Sequence, residues 1–108
     1  MPSITLYTSE GHRLDNDDFM QFSASLAKLT KEILKAKENN IHITCLTGEI
    51  NVGTPVYLEA KLRQEDFRNQ LVLNEFLSEV DLLINKYFGI FARIRCFLYG
   101  TEQIFARN

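Results

Sequence analysis

Apolar and polar positions alternate from the start of the chain. Ile4 and Leu6 are interleaved with Thr5 and Tyr7 in Pro2-Ser3-Ile4-Thr5-Leu6-Tyr7-Thr8. A period of two predicts a strand with one face buried. After a turn at Glu10-Gly11-His12-Arg13, Asp15 or Asn16 caps a helix, and Asp17 and Asp18 complement the positive end of its dipole. Phe19, Phe22, Leu26, Leu29 and Ile33 then recur at steps of three, four, three and four. That is one apolar helical face, with Lys28, Lys31, Glu32 and Lys35 turned outward. Asn39-Asn40 is expected to end the helix.

The second half repeats the plan. Residues 41–46 read as a strand, followed by a short segment to Gly53. Pro55 opens a third strand over 56–62, in which Val56, Leu58, Ala60 and Leu62 alternate with Tyr57, Glu59 and Lys61. Gln64-Glu65-Asp66 is expected to start a second helix. Its apolar stripe runs through Val72 or Leu73, Phe76, Leu77, Val80, Leu83, Ile84 and Tyr87. Gly89 follows the last periodic residue, the usual stop. Residues 91–99 form a fourth strand, and a tail over 101–108 carries Ile104 and Phe105.

Residues 2–47 and 55–99 are thus two β-α-β repeats. Crossover helices connect parallel strands, and right-handed crossovers put both helices on one face of a four-stranded sheet. The predicted fold class is α+β, a single domain over residues 1–108. The fourth strand, with Phe91, Ile94, Cys96, Phe97, Leu98 and Tyr99, reads as apolar on both faces, so the second face of the sheet needs a cover. Another copy of the chain would supply it, which predicts a homo-oligomer.

Composition narrows the classes of function. The chain has 108 residues, 45% hydrophobic and 24% charged, in the ordinary range for a globular protein. A formal net charge of −2 provides no field suited to nucleic acid. No apolar run is long enough to span a membrane, and no basic-then-apolar leader opens the sequence, so a cytoplasmic location is expected. Cys45 and Cys96 lie within strands and read as small buried thiols of a reducing compartment rather than as a disulfide. His12 and His42 are isolated, so no metal is expected. No glycine-rich loop cradles a phosphate, no cofactor is implied, and no serine has an evident paired base.

One conventional centre is left. Trimming of Met1 would leave Pro2 as a free secondary amine at the mouth of the first strand, a candidate general base. A double β-α-β plan of this length, with Met-Pro leading directly into a strand, resembles the tautomerase superfamily. That superfamily groups 4-oxalocrotonate tautomerase, 5-carboxymethyl-2-hydroxymuconate isomerase and macrophage migration inhibitory factor. The resemblance covers nearly the whole chain in pattern, and its one motif is the Met-Pro start with the strand behind it. The stretches VYLEAKLR and ARIRCFLYG also look like small members of this fold.

The resemblance implies a trimer whose sheets line a central barrel, with the tail of one subunit reaching the next. It implies a cofactor-free tautomerase or isomerase in which Pro2 shuttles a proton on a small carboxylated enol or keto compound while nearby cations hold the carboxylate. Pro2 falls on the family's base. Leu62 and Arg63 fall where members offer a backbone amide or a cation. Lys37, or Lys35 in a shifted register, lies close to the family's lysine before the second strand. Arg95 falls near a tyrosine position, and Phe97 stands where one member has asparagine. The alternative of another class is a non-catalytic oligomeric binding protein of the same fold.

Overall fold

The computed structural model describes residues 2–108; Met1, whose trimming is the expectation for Pro2, lies outside the described residues. The order is β1 (Pro2–Ser9), α1 (Asn16–Leu34), β2 (His42–Gly48), β3 (Val56–Arg63), α2 (Gln70–Phe88) and β4 (Arg93–Tyr99). The strands form one mixed sheet in the order β2-β1-β3-β4. Each repeat contributes a parallel pair, β1 with β2 and β3 with β4, and the repeats join through antiparallel β1 and β3. Both helices cover one face. This is the α+β plan expected.

The period of two decides which face is dry. Ile4 and Leu6 on β1, and Val56, Leu58, Ala60 and Leu62 on β3, are all fully buried against the helices. Their counterparts on the outer strands are half-buried: Ile43 and Cys45 on β2, and Ile94, Cys96 and Leu98 on β4. The other face is mixed rather than apolar. On β4 it carries Arg93, Arg95, Phe97 and Tyr99, because strict alternation gives it every second residue. Tyr7 and Tyr57, directly paired across β1 and β3, stack there with ring centroids 5.7 Å apart.

Helix boundaries depart from expectation at two places that later prove to shape the cleft. α1 stops at Leu34, five residues before Asn39, and its C-cap is Lys35 in a left-handed conformation, φ 53° and ψ 39°. That position usually takes glycine, because a β-carbon there meets the following carbonyl oxygen. α2 starts at Gln70, capped by the Asn69 side chain, which accepts from the Val72 amide at 3.0 Å. Residues 64–68 form no helix. The Gln64 amide instead donates to the Tyr99 carbonyl (2.8 Å), and the Arg68 amide to Glu65 (3.0 Å).

In α1 the fully buried positions are Phe22, Leu26, Thr30 and Leu34, steps of four that drift off the expected Leu29 and Ile33. Thr30 is tolerated inside because its hydroxyl donates to the Leu26 carbonyl at 2.7 Å. Phe22 meets Tyr87 and Phe88 of α2 edge-on at 5.7 and 5.8 Å, locking the helices together. Among the described residues, no helix is long and apolar enough to cross a membrane.

Cys45 and Cys96 are free. They stand on β2 and β4, at opposite edges of the sheet, three spacings of about 4.8 Å apart and far beyond disulfide reach. Burial pushes the Cys96 thiol up to about 11, the nearby Arg68 charge opposing only in part. Because its folded pKa lies above the unfolded value, the contribution of this neutral thiol to stability is complete below about pH 8.5. It is lost as the pH rises through about 11. Iodoacetamide at pH 7.5 is therefore expected to label Cys96 far more slowly than a denatured control, with labelling rising steeply above pH 9. Equal rates in peptide-level mass spectrometry would show the thiol to be solvated.

Candidate active site around Pro2

Pro2, the first residue of β1, is buried and faces the helix side of the sheet with Ile4 and Leu6. Antiparallel pairing sets it opposite Leu62, next to the end of β3. A cleft of about 450 Å³ opens there. One wall is the segment after α1, with Lys35, Ala36, Lys37 and Asn40; the other follows β3, with Arg63, Glu65, Phe67 and Arg68. The two unexpected helix boundaries build these walls. Early termination of α1 frees Lys35 to Lys37 from helical geometry, and late initiation of α2 leaves 64–68 as a loop.

Arg68 ties the walls together. It is only 7% exposed, and no carboxylate of the described residues pairs with it within 4 Å. Its Nε and Nη2 both donate to the Leu34 carbonyl (3.2 Å each), the last residue of α1. Its Nη1 donates to the Arg63 carbonyl at 2.7 Å. Burial lowers its pKa from the usual arginine value, the charge of Glu65 opposing the shift. Phe67 covers the cluster, with Arg68 5.4 Å and Lys35 5.7 Å from its ring centroid. Arg68→Met would strip donors from two carbonyls and is expected to cost about 1–3 kcal/mol in a urea titration. An unchanged midpoint would mean that water replaces the guanidinium freely.

Four cations thus face one carboxylate around the proline. The groove between α1 and α2, about 370 Å³, makes the contrast. There Lys28 and Lys86 are balanced by Glu32 and Glu79, so it has no net charge with which to select an ion.

The structure brings Pro2, Arg63 and Lys37 into one cleft, and Lys35 with them. Leu62 sits beneath, with its side chain fully buried in the core. Arg95 is not brought there. It lies on the edge strand β4 and lines a shallow depression with Leu77, Ser78 and Asp81 of α2. Sequence reasoning misses Arg68 and Phe67, since Gln64-Glu65-Asp66 is expected to open a helix that would carry them. The signal was available in part: Phe67 falls outside the apolar period of the stripe that follows. Nor is every serine without a base, for Ser9 Oγ lies 2.9 Å from His12 Nδ1. That contact is local to the turn after β1, and neither residue lines a cavity described here.

By sequence the chain matches no family model and no curated protein. By structure it matches many solved proteins over nearly its whole length. One, Pt0534 inactivated by 2-oxo-3-pentynoate, superposes with a TM-score of 0.81 at 12% identity, covering 98% of this chain and 92% of that one. The macrophage migration inhibitory factor-like protein of Entamoeba histolytica gives 0.76 at 10% identity, covering 99% and 96%. A fused 4-oxalocrotonate tautomerase, a symmetric trimer, gives 0.75 at 12% identity, covering 97% and 93%.

The fold is that of the tautomerases. At these identities the tautomerase likeness is one of architecture. What this chain can do chemically is set by its own cleft.

Proposed function

We propose that the protein is a cofactor-free tautomerase acting on a small carboxylated enol or keto compound, with Pro2, freed by loss of Met1, as general base. The observation that carries this reading is a buried strand-initial proline at the foot of a cleft lined by four cations and one carboxylate. Burial and neighbouring positive charge both disfavour a protonated amine, bringing its pKa toward neutrality where a base is most effective. Arg63 and Lys37 hold the substrate carboxylate, and the backbone at Leu62 borders the reacting atoms. The amine takes the proton from the enol oxygen and returns it to carbon, so no other reactant is consumed. Pt0534, which shares the fold, is inactivated by 2-oxo-3-pentynoate, a 2-oxo acid, and this supports a carboxylated keto ligand.

The assembly belongs to the same reading. Leu46, Phe97 and Phe105 are exposed, and no helix covers the sheet face carrying Tyr7 and Tyr57 among the described residues. We assign this face to a homotrimer, which sets Arg95 on the surface meeting a neighbour, in reach of that neighbour's cleft. The expected setting is the cytoplasm, with no nucleic acid or membrane partner. Light scattering at micromolar concentration is expected to give about three times the 12.5 kDa chain mass. On the same sample, with Met1 shown to be absent by intact mass, phenylenolpyruvate should ketonise faster than in buffer. A stable monomer would remove Arg95 from the site, and a blocked Pro2 nitrogen would remove the base.

A further inference from the structure

We infer that Arg68 is a positioning residue for the cleft: without touching the substrate, its guanidinium holds Arg63 and the segment over 35–37 where they meet a carboxylate. The inference rests on the proposed function and deepens it by naming what sets the substrate-binding cations in place.

The fork and its acceptors decide this. Each of the three guanidinium nitrogens donates to a main-chain carbonyl: Nε and Nη2 to Leu34 at 3.2 Å, Nη1 to Arg63 at 2.7 Å. The acceptors sit on opposite walls, one on the last residue of α1 and the other on the last residue of β3. Lys35 and Lys37 follow directly on Leu34, and the second acceptor belongs to Arg63 itself. One planar group thus fixes the backbone under both sets of cations. With 7% of its surface exposed and its nitrogens so engaged, Arg68 is not free to take the substrate carboxylate.

Stability alone does not account for a charge at this place. A buried guanidinium with no ion pair within 4 Å among the described residues carries a desolvation penalty that an apolar side chain would avoid. Nor does a helix end in this fold require it. α2 closes on its own backbone, the Gly89 amide donating to the Asn85 carbonyl at 2.8 Å. α1 gives way instead to a left-handed lysine, φ 53°, and the donors to its last carbonyl come from 34 residues away. What the guanidinium adds is a fixed spacing between two walls, held by charge-assisted hydrogen bonds.

The test is a binding titration of phenylpyruvate, a 2-oxo acid, by calorimetry on the Met1-free protein and its variants, independent of turnover. Arg68→Met and Arg68→Lys are each expected to raise Kd about tenfold at full stoichiometry, the scale of a cation displaced from its working position. Lysine keeps the charge but cannot span two carbonyls with one planar fork. A residue that served stability alone would lower the stoichiometry of binding-competent protein and leave Kd unchanged. Arg63→Ala should also raise Kd. The double variant Arg63→Ala/Arg68→Met should raise it by less than the product of the two single effects, since Arg68 acts through Arg63. Wild-type Kd in Arg68→Met or in Arg68→Lys, a loss confined to stoichiometry, fully multiplicative effects in the double variant, or no binding by the wild type would each overturn the inference. Failure of the Pro2 assignment reads differently: the pattern of Kd values would stand, but Pro2→Ala would ketonise phenylenolpyruvate at the full rate.

Discussion

Pro2→Ala is expected to reduce the ketonisation rate of the Met1-free protein by about 10²–10⁴, the usual worth of a positioned general base. Alanine also follows an initiator methionine readily, so the variant keeps a free amine. It is a primary one, of different basicity, and without the ring that fixes the lone pair relative to β1. The side chain lost is small and terminal to the strand, so the fold should survive, and an unchanged circular dichroism spectrum would establish that.

Arg63→Ala should behave otherwise, raising KM with little change in kcat, because a cation that holds a carboxylate throughout supplies uniform binding. The wild-type pH–rate profile should rise as a group well below the free proline amine loses its proton. Full activity in Pro2→Ala would transfer the case to the non-catalytic binding protein of the same fold.

Most of the architecture is legible in the sequence, because a period of two or of about 3.6 follows from which face is dry. Ile4 and Leu6, or Phe76 and Val80, repeat because water is excluded on one side only. The cleft was harder to foresee. It is made where the period fails, at Lys35 to Lys37 and at 64–68, and those segments are fixed by tertiary contacts. The hydrogen bonds of Arg68 to Leu34 span 34 residues, and no local pattern announces them. Thr30 escapes the apolar pattern for a related reason. A hydroxyl looks polar in the sequence and becomes a core residue only once it has bonded its own helix. Arg95 was legible as a strand cation, but one chain cannot show which cleft it serves.

The stability of the domain should depend most on the α2 face, and Phe76→Ala tests it. Phe76, Val80 and Ile84 are fully buried at steps of four, whereas Leu83, equally apolar in the sequence, is half-buried, and Leu82 is 67% exposed. Truncating Phe76 removes a ring's worth of transfer free energy and leaves a cavity between helix and sheet that close packing cannot refill. The expected cost is about 3–5 kcal/mol. That is a large share of the roughly 5–15 kcal/mol that holds a domain of this size. Leu82→Ala, on the same helix and similar in chemistry, should change stability by less than about 0.5 kcal/mol. Both should be measured at one protein concentration, because assembly would make the midpoint depend on it. Comparable losses for the two variants would mean that α2 is covered on its outer side as well. A null result for Phe76→Ala would mean that the helix lies on the sheet by another face.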